Sequence, residues 1–253
     1  MTLLSDFTAA ISSGAIEVVD LTAPLSSQTP ILGLPEQFGQ TWPFELTEIS
    51  RYDDRGPAWY WNNISTGEHT GTHFDAPIHW VTGRDSADVS QVPARRLIAP
   101  AAVLDVSAQA NDDPDFLLEV EHITAWEARY GPLPVGGWLL VRTGWDARAQ
   151  DAAAFANEGH TPGLSIECAK WLAESSPVQG LGVETVGTDA GAAHSFDPPF
   201  PCHSFLLGND KYGLTQLRNL TSLPPVGAVI VAGPLPIVHG SGSPCRVLAL
   251  VEH

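Results

Sequence analysis

Hydrophobic and polar positions along this chain change period several times, from helix-like to strand-like and back. Residues 2–13 carry apolar positions at helical spacing and stop at Gly14, which predicts a short amphipathic helix. IEVVDLTAPL at 16–25 reads as a strand running into a proline-rich loop. From Ser26 to Pro43 no period is visible, and Pro30, Pro35, Gly33 and Gly39 predict an irregular excursion of the kind used as a lid or an oligomer contact. AAVLDVS at 101–107, WLLVRTGW at 138–145, VQGLGVETVGTD at 178–189, AVIVAGPL at 228–235 and RVLALV at 246–251 are apolar runs that read as strands. ITAWEARYG at 123–131 reads as a helix closed by glycine. Ser165 is the expected N-cap of a helix over IECAKWLAE, whose Ile166, Ala169, Leu172 and Ala173 make one apolar face. Strands mixed with a few helices give an α/β class bordering on α+β, and no repeat or linker divides residues 1–253, so a single domain is expected.

Composition narrows the function classes. The chain has 253 residues, 43% hydrophobic and 16% charged, which is ordinary for a globular protein. Its 29 acidic and 12 basic residues leave a formal charge of −17. That charge repels nucleic acid and anionic membranes and concentrates cations, so no partner held through phosphates is expected. Cys168, Cys202 and Cys245 are widely spaced and odd in number, which predicts a reducing cytoplasm rather than a disulfide framework. Cys202 precedes His203, so a thiol nucleophile stands beside the plainer reading of a small buried side chain. The first fourteen residues lack Lys and Arg, unlike a signal peptide, and no apolar run approaches the roughly 20 residues that span a bilayer. GSGSP at 240–244 and GTDAG at 187–191 lack the spacing and lysine of a phosphate-binding loop, and no GxSxG elbow is present.

The densest chemistry is HTGTHFDAPIH at 69–79, three histidines and a carboxylate in eleven residues. An extended segment advances about 3.3 Å per residue, so His73 and Asp75 project from one face within reach of one cation. His69 lies four residues back, about 13 Å along an extended chain, whereas ligand atoms sit about 2 Å from a metal. A helix would unite His69 with His73 but turn Asp75 away. The chain must therefore bend, and Gly71 is the residue that permits an unusual φ. A strand end, a tight turn at Gly71 and Thr72, then His73 and Asp75 on one side are expected, with Pro77 stiffening the exit and His79 beside the metal. A lone HxxxH pair would read as solvated loop residues; the added carboxylate and His79 favour a metal site. Trp59, Trp61 and Trp80 flank the motif and read either as the wall of a pocket for a flat aromatic substrate or as strand core.

HTGTHFDAPIH resembles the HxGTHxDxPxH signature of the metal-dependent cyclase superfamily, which includes bacterial kynurenine formamidases and isatin hydrolases. GLSIECAKWLAE at 163–174, VGTDAGAAHSFDPPFPCH at 186–203, LLGNDKYGLTQLRNL at 206–220 and GSGSPCRVLALV at 240–251 extend the resemblance over most of the chain. It implies a swivelling β/β/α fold, a mixed sheet or flattened barrel flanked by helices. It implies metal ligation by His69, His73 and Asp75, acid/base catalysis by His79, and a homodimer or homotetramer. In two-zinc formamidases a later histidine and a glutamate twelve residues beyond it hold the second ion. His203 matches that histidine, but positions 215 and 216 are Thr and Gln. A neutral amide supplies no charge to hold two cations, so Gln216 as ligand to one Mn²⁺ or Zn²⁺ resembles the isatin-hydrolase branch, and His203 is left to bind substrate, relay protons or serve a second metal. The implied activity is hydrolysis of an isatin-like cyclic amide. Formamide hydrolysis, lactone or cyclic-imide opening, dehydrating cyclisation and a metal-binding module without catalysis are the alternatives.

Overall fold

The computed structural model describes residues 2–252. In chain order the elements are α1 (Leu3–Ser13), β1 (Ile16–Asp20), β2 (Glu45–Asp53), β3 (Gly56–Ser65), β4 (His73–Asp75), β5 (Ile98–Asp105), α2 (Ser107–Asp112), β6 (Leu117–Leu118), α3 (Val120–Tyr130), β7 (Trp138–Arg142), α4 (Ala152–Ala156), β8 (Gly163–Leu164), α5 (Ile166–Glu174), β9 (Gly180–Val183), β10 (Tyr212–Thr215), β11 (Ala228–Pro234) and β12 (Gly242–Glu252).

Seven strands form a closed mixed barrel in the order β12, β11, β5, β7, β9, β10, β4, with β4 returning to β12 and β1 added beside β12. Within this sheet β5, β7, β9 and β10 run parallel and the other pairings are antiparallel, while β6 and β8 form a separate parallel pair. β12 is shared along its length: Gly242 to Pro244 pair with β4, and Leu248 to Glu252 pair with β1.

Period-two alternation builds two cores from the same strands. Ala101, Val103, Trp138 and Leu140 face the barrel interior with Phe74, Leu214, Ile230 and Val247. Their neighbours Ala102, Leu104, Leu139 and Val141 face a helical layer made by Ile123 and Trp126 of α3 and by Cys168, Ala169, Leu172 and Ala173 of α5. Each large side chain so buried contributes roughly 1.5–3 kcal/mol. The expected mixed barrel with flanking helices is thus present, and Ser165 caps α5 by accepting from Cys168 N.

Several expectations shift. The run at 138–145 stops pairing at Arg142 because the N–H groups of Thr143, Gly144 and Trp145 turn to Glu184 Oε2. The run at 178–189 is a strand only over Gly180–Val183. α1 ends at Gly14 as expected, but it buries no side chain, and Leu3 and Leu4 are exposed. β2 and β3 form a separate antiparallel hairpin, unforeseen in the pattern, with Leu46, Tyr52, Trp59, Tyr60, Trp61 and Ile64 exposed. Cys202 is fully buried and its thiol is pushed well above its ordinary range by burial, which removes the thiol-nucleophile reading. No helix among the described residues is long and apolar enough to cross a membrane.

Candidate metal centre and active site

β4 is the three-residue wedge that closes the barrel, and its alternation decides which side chains reach the site. Phe74 points into the core against the rings of Tyr212 and Trp138, at 4.9 and 6.2 Å. His73 and Asp75 therefore project to the other side, as the spacing predicts. Gly71 has φ +69°, the conformation that turns His69 back toward them. On the neighbouring strand a Cβ at Gly242 would lie 2.6 Å from the His69 ring, so only glycine lets β12 pass so close.

The hydrogen bonds fix the tautomers. Ser241 Oγ donates to Glu68 Oε2 at 2.6 Å, since a carboxylate only accepts, and so Oγ must accept from His69 Nε2 at 2.8 Å. His69 Nδ1 then carries a lone pair in the neutral ring, yet it faces Asp75 Oδ1 at 2.8 Å. His73 Nδ1 donates to the Gly71 carbonyl at 2.7 Å, which leaves His73 Nε2 bare, 3.4 Å from the same Asp75 oxygen. Thr215 Oγ1 lies 2.8 and 3.1 Å from the two His73 nitrogens. Burial pushes the Asp75 carboxyl up, but His73 and His69 outweigh it and hold the group well below its usual range. Two imidazole lone pairs and an ionised carboxylate oxygen thus converge. Neutral rings cannot satisfy that arrangement with one another, whereas a divalent cation does, and the donor set fits one.

His79 ends the Pro77–His79 turn, and the side chains whose ligand atoms all lie within 4.8 Å of one another are His69, Asp75 and His79, with His73 approaching the same site only through its 3.4 Å contact to Asp75. The His79 ring stacks on His69 with centroids 3.9 Å apart. Burial drives the imidazolium down to about 3, with Asp75 opposing and His69, His203 and His73 assisting, so the ring is neutral near neutral pH. Trp80 lies 4.8 Å from His203 and 5.6 Å from Phe200, and its indole N–H donates to Ser204 Oγ. His203 opens a π-helical segment, His203–Leu207, with its Nδ1 2.5 Å from Asp189 Oδ2 and its ring 5.4 Å from His79.

Gln216 follows β10 with its side chain buried and its Nε2 donating to the Pro30 carbonyl, while Thr72 Oγ1 donates to its backbone carbonyl. It borders a cavity of about 170 Å³ lined also by Thr29, Pro30, Asp146, Glu184 and Arg218. The 26–43 excursion, irregular as expected, thereby touches the candidate ligand through Pro30. Trp59 and Trp61 lie half-exposed on the hairpin. Sequence reasoning missed Ser241, Glu68, Thr215, Phe200 and Asp189. Asp189 lies in the GTDAG run, where the carboxylate itself was the available signal.

The Cyclase family model matches residues 19–190. An isatin hydrolase of Roseibium aggregatum is 46% identical over 255 residues, covering 98% of this chain and 97% of that protein. Isatin hydrolase A from Ralstonia solanacearum superposes with a TM-score of 0.97 at 52% identity, over 100% of this chain and 98% of that one. An isatin hydrolase bound to the product analogue thioisatinate superposes with a TM-score of 0.96 at 45% identity over the whole of both chains.

Proposed function

The chain belongs to the Cyclase family, and from that premise we propose that it is a metal-dependent hydrolase that opens the cyclic amide of isatin to give isatinate. The observation that carries the metal site is that His69 Nδ1 and His73 Nε2 both face Asp75 Oδ1, at 2.8 and 3.4 Å. The relatives with known three-dimensional structures supply the substrate class, an aromatic lactam.

In this reading His69, His73, Asp75 and Gln216 hold one divalent ion, manganese, with zinc as the alternative the same donors accept. When bound, that ion supplies an acidified water and a polarised carbonyl. His79, neutral and beside the cluster, takes the proton from the attacking water and returns it to the lactam nitrogen as the C–N bond breaks. The carbonyl carbon gains the oxygen, the nitrogen gains the proton, and the carboxylic acid then ionises. His203 holds the substrate's acyl oxygen, and Trp80 with Phe200 forms the wall for the flat ring. Thr215 and Gln216, in place of a bridging carboxylate, favour one ion and count against the two-metal formamidase reading.

We further assign the chain to the cytoplasm as a single domain, supported by three buried unpaired cysteines and by β1 and β12 sharing one sheet. Trp59, Trp61 and the rest of the hairpin's exposed face are assigned to contact with a second copy in a homodimer or homotetramer.

The test follows isatin absorbance with purified protein and Mn²⁺, with and without a chelator. Chelator-sensitive ring opening, abolished in His79→Ala at unchanged metal content, is expected. Absence of turnover with manganese bound rejects isatin as substrate.

A further inference from the structure

We propose that Asp189 is a positioning residue for this reaction, fixing His203 with Nδ1 protonated so that Nε2 is the nitrogen presented to the substrate. The proposal rests on the hydrolase reading above. Asp189 is almost fully buried, and both of its oxygens are committed to the start of one helical segment. Oδ1 accepts from Cys202 N at 2.6 Å, and Oδ2 accepts from His203 N at 3.2 Å and faces the His203 ring nitrogen Nδ1 at 2.5 Å. One carboxylate thus grips the backbone and the ring of the same residue.

Chemistry fixes the consequence. A carboxylate accepts and does not donate, so the ring nitrogen facing it carries a proton. Thr188 Oγ1, 3.4 Å from the same nitrogen, gives only a weaker second contact. Nε2 lies across the ring and is the nitrogen that remains for chemistry. The ring sits 4.8 Å from Trp80 and 5.4 Å from His79, so Nε2 is delivered into the space where the proposed base and the aromatic wall meet. Two ties hold that space together: Trp80 Nε1 donates to Ser204 Oγ, and Thr82 Oγ1 donates to the Ser204 carbonyl. The irregular π-helical turn is itself the kind of backbone that recurs at functional sites.

Asp189 does more than cap a turn. Capping needs acceptors for backbone N–H groups only, whereas here the negative charge also faces an imidazole and stabilises its protonated form. His79 and His203 then divide the work. His79 moves the water proton to nitrogen, while His203, protonated on both ring nitrogens, donates a hydrogen bond from Nε2 to the acyl oxygen as that oxygen gains charge, making and breaking no covalent bond.

The test uses the manganese-loaded protein and three variants: Asp189→Asn, His203→Ala and the pair combined. An asparagine side chain has one acceptor oxygen for three N–H donors and no negative charge, so it no longer supports a ring that carries a proton on both nitrogens. Asp189→Asn is expected to lower kcat about 100-fold or more, with KM within about threefold, full metal content and an unchanged circular dichroism spectrum. In the His203→Ala background it is expected to cost nothing further, because the two residues act as a unit. Nitrogen-15 NMR of the wild-type protein is expected to show His203 protonated at Nδ1 as well as at Nε2, which decides the point even where a variant fails to fold. The proposal is overturned by a folded Asp189→Asn enzyme with kcat near wild type, by additive losses in the double variant, by loss of metal in Asp189→Asn, or by a wild-type His203 carrying its proton only on Nε2. Wild-type protein that binds manganese but leaves isatin intact rejects the hydrolase reading instead, and the NMR result still decides how Asp189 holds His203.

Discussion

Single side chains set the chemistry through partners far away in sequence. Ser241 is 172 residues from His69, yet its hydroxyl passes the hold of Glu68 to the ring and thereby frees Nδ1 for a cation. Removing it leaves His69 free to rotate and to change tautomer, so Ser241→Ala is expected to weaken Mn²⁺ affinity about 10- to 100-fold, read by metal titration. Unchanged affinity would show that His69 is oriented by its stacking on His79 alone. Glu184 gives a pH-dependent case outside the histidine cluster. Burial, aided by Asp146, raises its carboxyl to about 7 against the donors from Thr143 and Gly144 that lower it. The folded chain therefore binds this proton more tightly than the unfolded chain, whose value is near 4.5. Its contribution is complete below about pH 4.5 and declines as pH rises through 7, by up to about 3 kcal/mol. Thermal unfolding of Glu184→Gln from pH 5 to 8 is expected to lose that part of the wild-type slope; parallel curves would show that Glu184 does not titrate on folding. The histidines and Asp75 were visible in the sequence because they fall within eleven residues. Ser241, Glu68 and Thr215 were not, because only the barrel brings them to the motif.

Elements with one strong signal matched expectation, and those with mixed signals did not. β11, β12 and α5 carry continuous apolar runs or a capped amphipathic face, and the structure places them within a few residues of the pattern. β4 is three residues long, too short for any period, and its pairing on both edges comes entirely from β10 and β12. The hairpin of β2 and β3 exposes aromatic side chains along both strands, so its pattern lacks the in-and-out alternation of a strand lying on a core. α5 ends on a tie that no helix pattern reveals. Lys211 Nζ donates to the Leu172 carbonyl at 2.6 Å and to the Ser176 carbonyl at 3.0 Å, joining the start of β10 to the end of the helix. Lys211→Met removes the ammonium donor from the Ser176 carbonyl and leaves the Leu172 carbonyl only the Ser176 hydroxyl, and it is expected to destabilise the fold by about 1–3 kcal/mol in chemical denaturation. A loss under about 0.5 kcal/mol would mean that water replaces the ammonium there.

At the scale of the whole molecule, the excess of acidic residues and the exposed aromatic surface pull in different directions. A formal charge of −17 keeps copies apart, yet Tyr52 and Trp61 are 68% and 54% exposed on a two-stranded ribbon that pairs with no third strand among the described residues. Isolated ribbons are marginal, and large exposed apolar patches mark association surfaces. Arg51 stacks over Tyr60, and Arg55 pairs with Glu48 and Asp53, so part of the hairpin's negative charge is offset. Light scattering is expected to give a dimer or tetramer for the wild type and a smaller species for Tyr52→Asp combined with Trp61→Asp. A monomeric wild type would reject the association surface.

The dual pairing of β12 has a kinetic consequence. Closing the ring pairs Gly242–Pro244 of β12 with His73–Asp75 of β4, and Ser241 meets His69, 172 residues away, only when that closure is complete. Contacts so distant along the chain carry a large loop-closure entropy and form slowly. Manganese affinity should therefore return after most helical signal in a refolding time course, and recovery of both together would contradict this order. The cation would then act as a lock on a finished barrel rather than as a nucleus around which it grows.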